Sequence, residues 1–241
     1  MDSGAIHEMS DLKRRLDNLY LQYYYDHGLG ERPYKYAEPW LSFFDAIADR
    51  IVTMIGPHTV LDVGCAMGIL VTALRKRGVE AFGFDISEHA LQNTSSQYKD
   101  FVWRGDASDP EAYHDSFDLI VCIEVVEHLL PADAQNAIGL MSQHSDLVLF
   151  SSNPADFSES THINSNPTAY WVREFARYGM FRACDFDAAF VSHWAALLQK
   201  ESVQTGQLVY RYEDRLSTLQ RQNHEQRAAM LRLQEQLNEG R

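Results

Sequence analysis

From residue 59 onward, short apolar runs alternate with segments of helical periodicity, and this alternation constrains the fold more than any other feature. The run TVLDV (59–63) is typical of a buried strand, and the helical pattern that follows it ends at Gly78. Such alternation predicts an α/β fold with a doubly wound, parallel sheet covered by helices on both faces. The expected strands are 59–63, 79–84, 100–105, 117–123, 146–152, 180–187 and 189–195, and the helices between them are 68–78, 87–95, 132–144 and 167–179. Because the last two strands are so close in sequence, we expect an antiparallel hairpin at one edge.

The two ends of the chain lack this alternation. Residues 9–27 and 40–55 carry helical apolar spacing, so we expect an N-terminal helical lid segment (1–45) before the α/β domain (46–202). Residues 203–241 carry a seam at alternating spacings of three and four, which predicts a coiled-coil helix. The seam consists of Val209, Tyr212, Leu216, Leu219, Asn223, Gln226, Met230, Leu233 and Leu237. Folding back onto the α/β domain is the alternative, but the strict spacing and the seam asparagine favour a parallel homodimer.

Charge and cysteine content narrow the class of protein. The 241 residues include 34 acidic and 21 basic side chains, a formal net charge of −13. This charge argues against a nucleic-acid partner, because binding nucleic acid rests on an excess of Lys and Arg. Three widely spaced cysteines predict neither a disulfide framework nor a zinc site, and they favour a reduced, cytoplasmic compartment. No signal-peptide core or membrane-spanning apolar run is visible, so we expect no transmembrane segment. Peripheral attachment to the inner membrane is compatible with this sequence.

The strongest chemical signal is the segment VLDVGCAMGIL (60–70), where a buried strand runs through a small-residue turn into a helix. Gly64, Ala66 and Gly68 keep this turn free of bulk, so that a ligand can lie against bare backbone. One such turn is weak evidence by itself, and the dinucleotide fingerprint GxGxxG is not matched.

Acidic residues end the three strands that follow this turn. Asp85 is placed to hold a ribose diol, Asp106 to accept a hydrogen bond from an adenine amino group, and Glu124 ends the fourth strand. The segments VLDVGCAMG, FGFDIS, WRGDASD and FDLIVCIEVVEHL resemble the successive motifs of class I S-adenosylmethionine-dependent methyltransferases. This resemblance implies a Rossmann-like, seven-stranded fold and S-adenosyl-L-methionine as the cofactor. The cofactor-binding residues are then expected to be Asp62, Gly64, Cys65, Ala66, Gly68, Asp85, Ile86, Asp106, Ala107 and Glu124.

The acceptor side offers fewer candidates. Methyl transfer to a hydroxyl needs a nearby base, and histidine has a suitable pKa, so His128 and His162 are the catalytic candidates. Glu124, Glu127, His128 and His162 also form a reasonable set of ligands for a divalent metal. They resemble the metal site of small-RNA terminal 2′-O-methyltransferases, but metal-free relatives share the segment, so a metal is the alternative rather than the expectation. The expected substrate-binding residues are Tyr34, Asn164 and Tyr170.

A second resemblance covers nearly the whole chain. The segments ERPYKYAEPWLSFF and LVLFSSNPADFSESTHINSNPTAYW, with the closing heptads, resemble methyltransferases of bacterial surface-polysaccharide and O-antigen assembly. This second resemblance implies an O-methyltransferase that acts on a saccharide hydroxyl. It also implies self-association through the coiled coil and possible assembly with glycan-synthesis enzymes. Two alternatives stay open. A metal-dependent RNA 2′-O-methyltransferase is opposed by the net charge, and a non-enzymatic cofactor-binding scaffold is opposed by the ordered acids.

Overall fold

A seven-stranded sheet forms the centre of the protein, whose computed structural model describes residues 22–27, 33–155, 159 and 161–239. The strands are β1 (Thr59–Val63), β2 (Glu80–Asp85), β3 (Val102–Arg104), β4 (Leu119–Ile123), β5 (Leu147–Ser151), β6 (Met180–Arg182) and β7 (Ala196–Lys200). Their order across the sheet is β3-β2-β1-β4-β5-β7-β6. The strands β1 to β5 are parallel, and β7 runs antiparallel to both β5 and β6. The predicted α/β fold with antiparallel edge strands is therefore confirmed.

Helices precede and connect these strands. They are α1 (Gln22–His27), α2 (Trp40–Met54), α3 (Ile69–Arg75), α4 (Glu88–Gln92), α5 (Pro131–His144), α6 (Thr168–Ala176) and α7 (Thr205–Glu239). Local chemistry fixes their starts: the Ser87 hydroxyl accepts a hydrogen bond from the Ala90 backbone N–H of α4, and Pro131 occupies the first turn of α5. The expected helix over 9–27 falls mostly outside the described residues. The expected domain boundary at residue 45 falls inside α2.

The core lies on both faces of the sheet, as the alternating apolar strands require. On one face, Leu61 and Ile120 pack with α5 and α6. On the other face, Val60 and Val121 pack with α2 and α3. The strand order reverses between β1 and β4, so the loops at their carboxyl ends diverge and open a crevice.

The last two strands differ from the prediction. A loop, not a strand, occupies residues 183–195, and β7 begins only at Ala196. The sequence predicts a strand here because the segment is rich in apolar residues, but these residues pack against the core and do not pair with a neighbouring strand. Phe190 and Val191 pack against the core face formed with α2 and α3, while the indole of Trp194 donates to Glu124. The edge strands are antiparallel as expected, but a long loop connects them instead of a tight turn.

The helix α7 is continuous over 35 residues, as the seven-residue repeat predicts. Its seam residues Val209, Tyr212, Leu216, Leu219, Met230 and Leu233 are all exposed. An ion pair of 2.6 Å between Arg211 and Glu201 ties its first turns to the end of β7. Apart from Tyr212, which meets the Arg182 backbone, these seam residues do not pack onto the α/β domain, and the coiled coil stays a prediction. Across the part of the chain that the structure describes, no helix combines the length and the apolar character needed to cross a membrane.

Candidate active site

A cavity of about 480 Å³ opens at the carboxyl ends of β1, β2, β4 and β5. Its position matches the crevice where the strand order reverses, the usual ligand site of open α/β sheets. Most of the expected cofactor residues lie in its wall: Asp62, Gly64, Cys65, Ala66, Asp85, Ile86, Asp106, Ala107 and Glu124. Gly68 is the expected cofactor residue that does not line the cavity.

The turn after β1 presents bare backbone to the cavity. Gly64 has φ +76°, and a Cβ atom built on it would overlap the Val125 side chain. Ala66 also has a positive φ, of 47°, which is uncommon for a residue with a Cβ atom. Gly68, with φ +64°, caps α3 against Thr94 and Val102, so its role is in the backbone rather than in ligand contact.

Asp85 holds this turn in place from the end of β2. Its Oδ2 accepts a hydrogen bond of 2.8 Å from the Ala66 backbone N–H, and its Oδ1 accepts one of 2.8 Å from Ser87. Burial raises the pKa of Asp85. Burial and the nearby Asp85 raise the pKa of Asp62 to about 8. Two buried carboxyl groups thus face the cavity, where a ligand with hydroxyl or ammonium donors would satisfy them.

The end of β3 forms the next part of the wall. The Asp106 Oδ1 accepts hydrogen bonds of 2.8 Å from both the backbone N–H and the hydroxyl of Ser108, which fixes the turn. The Tyr113 hydroxyl donates to the Ala107 carbonyl oxygen at 2.9 Å. These hydrogen bonds hold Asp106 and Ala107 in place at the cavity wall, and the Ala107 carbonyl oxygen already accepts one from Tyr113.

An aromatic cover closes the cavity from the N-terminal side. Tyr25 of α1 meets the Ser87 side chain, and burial followed by the nearby Asp85 raises the pKa of Tyr25 well above its usual range. Tyr34 is buried, and its backbone N–H donates to the Tyr25 carbonyl oxygen at 2.7 Å. The Tyr34 ring also contacts that of Trp40 at a tilt of 45°, with ring centroids 4.9 Å apart. Tyr34, which was expected to bind the substrate, thus lies beside Asp62, Cys65 and Asp85.

Glu124 is held in an unusual conformation at the end of β4. Its φ is +55°, and its Oε1 accepts hydrogen bonds from the Ser151 hydroxyl and, at 2.9 Å, from the Trp194 indole N–H. The Ser151 hydroxyl also lies 3.1 Å from that of Ser192. The sequence does not single out Ser151, Ser192 or Trp194, and the last two lie in the loop for which the sequence predicts a strand.

A cluster of ionisable side chains adjoins Glu124. Glu127, His128 and His162 place one ligand atom each within 4.8 Å of one another. Glu159 approaches both imidazoles, at 3.3 Å from His162 Nε2 and 4.0 Å from His128 Nδ1. His128 lines the cavity, whereas His162 lies behind it. We refer to Glu127, His128, Glu159 and His162 as the histidine cluster.

Burial controls the charges in the histidine cluster. Burial and the nearby His162 lower the pKa of His128 to about 3, so its imidazole is neutral at physiological pH. Glu127 is fully buried, and burial together with Glu124 raises its pKa well above the usual range. Nothing in the sequence pointed to Glu159, which comes from the loop after β5.

The structure does not bring Asn164 and Tyr170 to the cavity wall. The Asn164 backbone N–H donates to the Glu127 carbonyl oxygen at 2.9 Å, so Asn164 holds the histidine cluster together instead. Tyr170 lies on α6, edge-on to Trp171 and beneath the Arg173 guanidinium. The prediction that Asn164 and Tyr170 bind the substrate thus finds no support in the cavity wall, because following β5 in the chain does not bring a side chain to the end of that strand.

Comparison with known proteins adds an independent observation. A family model described as a methyltransferase domain matches residues 30–194. The ubiquinone biosynthesis O-methyltransferase of Aeromonas salmonicida is 30% identical over 136 residues, covering 52% of this chain and 51% of that protein. The corresponding protein of Pseudomonas fluorescens is 32% identical over 132 residues, covering 51% of each chain. The chain thus spans about half the length of the curated relatives it matches.

The solved structures agree on the fold. The magnesium protoporphyrin IX methyltransferase of Synechocystis PCC 6803, solved with bound S-adenosylmethionine, superposes with a TM-score of 0.54 at 15% identity. The superposition covers 77% of this chain and 97% of that protein. Because the family model spans more than half of the sequence, the chain belongs to the methyltransferase-domain family.

Proposed function

We propose that the protein is an S-adenosylmethionine-dependent O-methyltransferase. The observation that carries this proposal is the ordered wall of the cavity, in which the Gly64 turn, Asp85 and Asp106 follow one another on β1, β2 and β3. The curated relatives are O-methyltransferases by name, which supports oxygen as the atom that receives the methyl group.

The cofactor end of the cavity suits a nucleoside with an attached amino acid. Asp85 accepts from the ribose hydroxyls, since each carboxylate oxygen keeps a lone pair after bonding the backbone. The bare backbone at Gly64 leaves room for the methionine portion, and Asp62 accepts from its ammonium group. Asp106 and Ala107 hold the adenine at the end of β3.

The histidine cluster receives the proton at the other end of the cavity. The acceptor oxygen attacks the methyl carbon, the carbon–sulfur bond breaks, and S-adenosylhomocysteine and a methyl ether are formed. The hydroxyl proton leaves to the cluster, where the neutral imidazole of His128 accepts it and Glu159 lies 4.0 Å from the Nδ1 atom of that imidazole. His128 lines the cavity and therefore stands nearest to the acceptor.

The acceptor is a hydroxyl carried by a ring with an apolar face. The wall beside Glu124 and His128 is apolar, with Val125, Leu129 and Leu130 from the loop after β4 and the Trp194 ring. Such a wall favours a phenol or hydroquinone, in keeping with the names of the curated relatives. A saccharide hydroxyl is the second candidate, because the Trp194 ring beside Glu124 offers a face on which a sugar can stack.

A labelled-methyl assay tests this proposal. Purified protein is incubated with S-adenosylmethionine labelled in the methyl group and with separate pools of phenols and hydroquinones, of saccharides and nucleotide sugars, and of RNA. Label in an ether of a phenol or saccharide supports the proposal and identifies the acceptor class. Label in RNA, or cofactor binding with no labelled product from any pool, would contradict it and favour an RNA methyltransferase or a binding scaffold.

A further inference from the structure

The loop 183–195 places a serine in the cavity wall that the proposed reaction does not use. Ser192 lines the cavity together with its neighbours Val191 and Trp194. The Ala195 backbone N–H donates to the Ser192 carbonyl oxygen at 3.0 Å and closes a turn over these residues. Ser192 is therefore held at a fixed place in the wall.

A chain of hydrogen bonds leads from Ser192 to Glu124. The Ser151 hydroxyl donates to Glu124 Oε1, and the Ser192 hydroxyl oxygen lies 3.1 Å from the Ser151 hydroxyl oxygen. The Trp194 indole N–H is shared between the first two groups, at 2.9 Å from Glu124 Oε1 and 3.1 Å from Ser151 Oγ. The loop 183–195 and the ends of β4 and β5 thus meet in one polar network.

The chemistry of a hydroxyl fixes the direction of this chain. A hydroxyl group has one hydrogen to donate and two lone pairs with which to accept, whereas a carboxylate oxygen only accepts. The single hydrogen of Ser151 is given to Glu124, so none is left for Ser192. The bond between the two serines therefore runs from the Ser192 O–H to Ser151 Oγ, whose other lone pair meets the Trp194 indole.

Ser192 is left with the capacity to accept and not to donate. Its hydrogen is engaged by Ser151, and no other donor among the residues that the structure describes reaches its hydroxyl oxygen. Because Ser192 lines the cavity, this oxygen offers its lone pairs to a ligand there. A ligand group that donates a hydrogen bond suits this place, whereas a group that only accepts would oppose one lone pair to another.

This oxygen belongs to the acceptor end of the cavity. Ser151 is the last residue of β5, and Glu124 directly follows the neighbouring β4. His128, which receives the proton in the proposed reaction, lies in the turn after β4. Asp106, assigned to the adenine, follows β3, which β2 and β1 separate from β4. Ser192 therefore faces the methyl acceptor and not the nucleoside.

We propose that Ser192 selects acceptors that carry a second hydrogen-bond donor, an O–H or N–H group on the same ring as the reacting hydroxyl. This inference rests on the proposed function, because it takes the cavity beside His128 as the acceptor site. The second donor binds Ser192 Oγ, and the chain through Ser151 to Glu124 polarises and strengthens that bond. An analogue without the donor leaves the serine oxygen unpaired. Ser192 thus determines specificity and takes no part in breaking bonds.

Binding of matched acceptor fragments tests this inference without methyl transfer. Full-length protein with saturating S-adenosylhomocysteine is titrated, by ligand-observed NMR, with the benzenediols and phenol and with methyl glucopyranoside and its monodeoxy analogues. We expect one dihydroxy fragment to bind about threefold or more tightly than its matched analogue. Ser192→Ala should remove this preference, and Ser192→Thr, which keeps the hydroxyl, should retain it. Whether the preference lies among the phenols or the glycosides distinguishes the two acceptor classes.

A control and a second variant keep the result interpretable. Ser142→Ala removes a buried serine hydroxyl that donates to the Ile138 carbonyl oxygen on α5, outside the cavity, and should keep the wild-type preference. Thermal melts and circular dichroism verify the fold of each variant. Ser192→Cys keeps nearly the size of serine but accepts weakly, so it should also lose the preference and replaces an alanine variant that fails to fold.

The outcomes separate this inference from the proposed function. A purely structural role of Ser192 would lower the melting temperature and leave the ratio of the matched affinities unchanged. That result, equal affinities of all matched fragments for the wild type, or binding of no fragment overturns the inference. Cofactor binding and the labelled-methyl assay do not depend on these ratios, so the proposed function stands or fails on those measurements.

Discussion

At the scale of single residues, Asp85 makes the most direct prediction. Replacing Asp85 by Ala removes two charge-assisted hydrogen bonds to a ribose and should cost about 2–4 kcal/mol of S-adenosylmethionine binding. Calorimetry measures this loss, and circular dichroism verifies the fold, because Asp85 also holds the turn at Ala66. Glu80→Ala, at the exposed opposite end of the same strand, is the control and should bind normally. Unchanged affinity in Asp85→Ala would refute the assignment.

Asp62 makes a prediction about pH. Its pKa is raised to about 8 in the folded protein, from an ordinary value of 3.8. The folded state therefore keeps a proton that the unfolded state has lost, and Asp62 costs the wild type stability progressively as pH rises from about 4 to about 8. In Asp62→Asn this cost is absent. The stability of the wild type minus that of Asp62→Asn, from urea melts across this range, should fall with rising pH. A difference that does not change with pH would show that Asp62 is not buried as described.

Sequence alone predicted those site residues whose position follows from strand ends. Gly64, Ala66 and Asp85 line the cavity because parallel strands bring their carboxyl ends to one edge, and their role in binding the cofactor stays a prediction. Glu159 and Trp194 could not be found this way. They reach the site through the packing of loops whose path depends on the whole fold, and no local pattern encodes that path.

At the scale of elements, the loop 183–195 supplies a positioning residue. The Trp194 indole N–H donates to Glu124, so Trp194→Phe keeps the ring and removes the hydrogen bond. A hydrogen bond to a carboxylate contributes about 1.5–3 kcal/mol. We expect kcat for the acceptor found in the labelling assay to fall about tenfold or more, with KM for S-adenosylmethionine unchanged. Trp103→Phe removes an indole hydrogen bond to Ala112 outside the cavity and should leave kcat unaltered. Equal effects of both substitutions would argue against a positioning role.

The same loop shows where prediction of elements failed. The strands β1, β4 and β5 are almost continuously apolar, so their bounds were predicted within about two residues. Residues 183–195 carry short apolar runs like those of a strand, but their apolar side chains pack onto the core from a loop. Periodicity records which side chains are buried and does not record whether the backbone pairs with a neighbour.

At the scale of the whole molecule, α7 predicts self-association. A helix of 35 residues is about 50 Å long, and its apolar seam is exposed over the described residues. Asn223 occupies a core position of the repeat, where it pairs with its own copy across a parallel two-stranded seam. We predict a parallel homodimer. Light scattering should give twice the chain mass, and a monomer at tens of micromolar would refute the prediction.

Two variants separate the roles of α7 and the sheet. A chain ending at Ser202 keeps all seven strands, since β7 ends at Lys200, and should be monomeric yet still bind S-adenosylmethionine. Asn223→Ile should strengthen association and weaken the preference for dimers over trimers, because the polar pair that selects two strands is gone. Sedimentation of both variants measures these outcomes.

The insertion of β7 between β5 and β6 has a consequence for synthesis on the ribosome. The growing chain can assemble β1 to β5 early, but β6 pairs only with β7 in the sheet. Until residues 196–200 emerge, β6 has no strand to pair with and β5 presents an open edge. Open edges invite pairing with other chains. Pairing of β7 therefore completes the sheet and also covers the open edge of β5 that would invite aggregation. This happens immediately before α7 emerges from the ribosome.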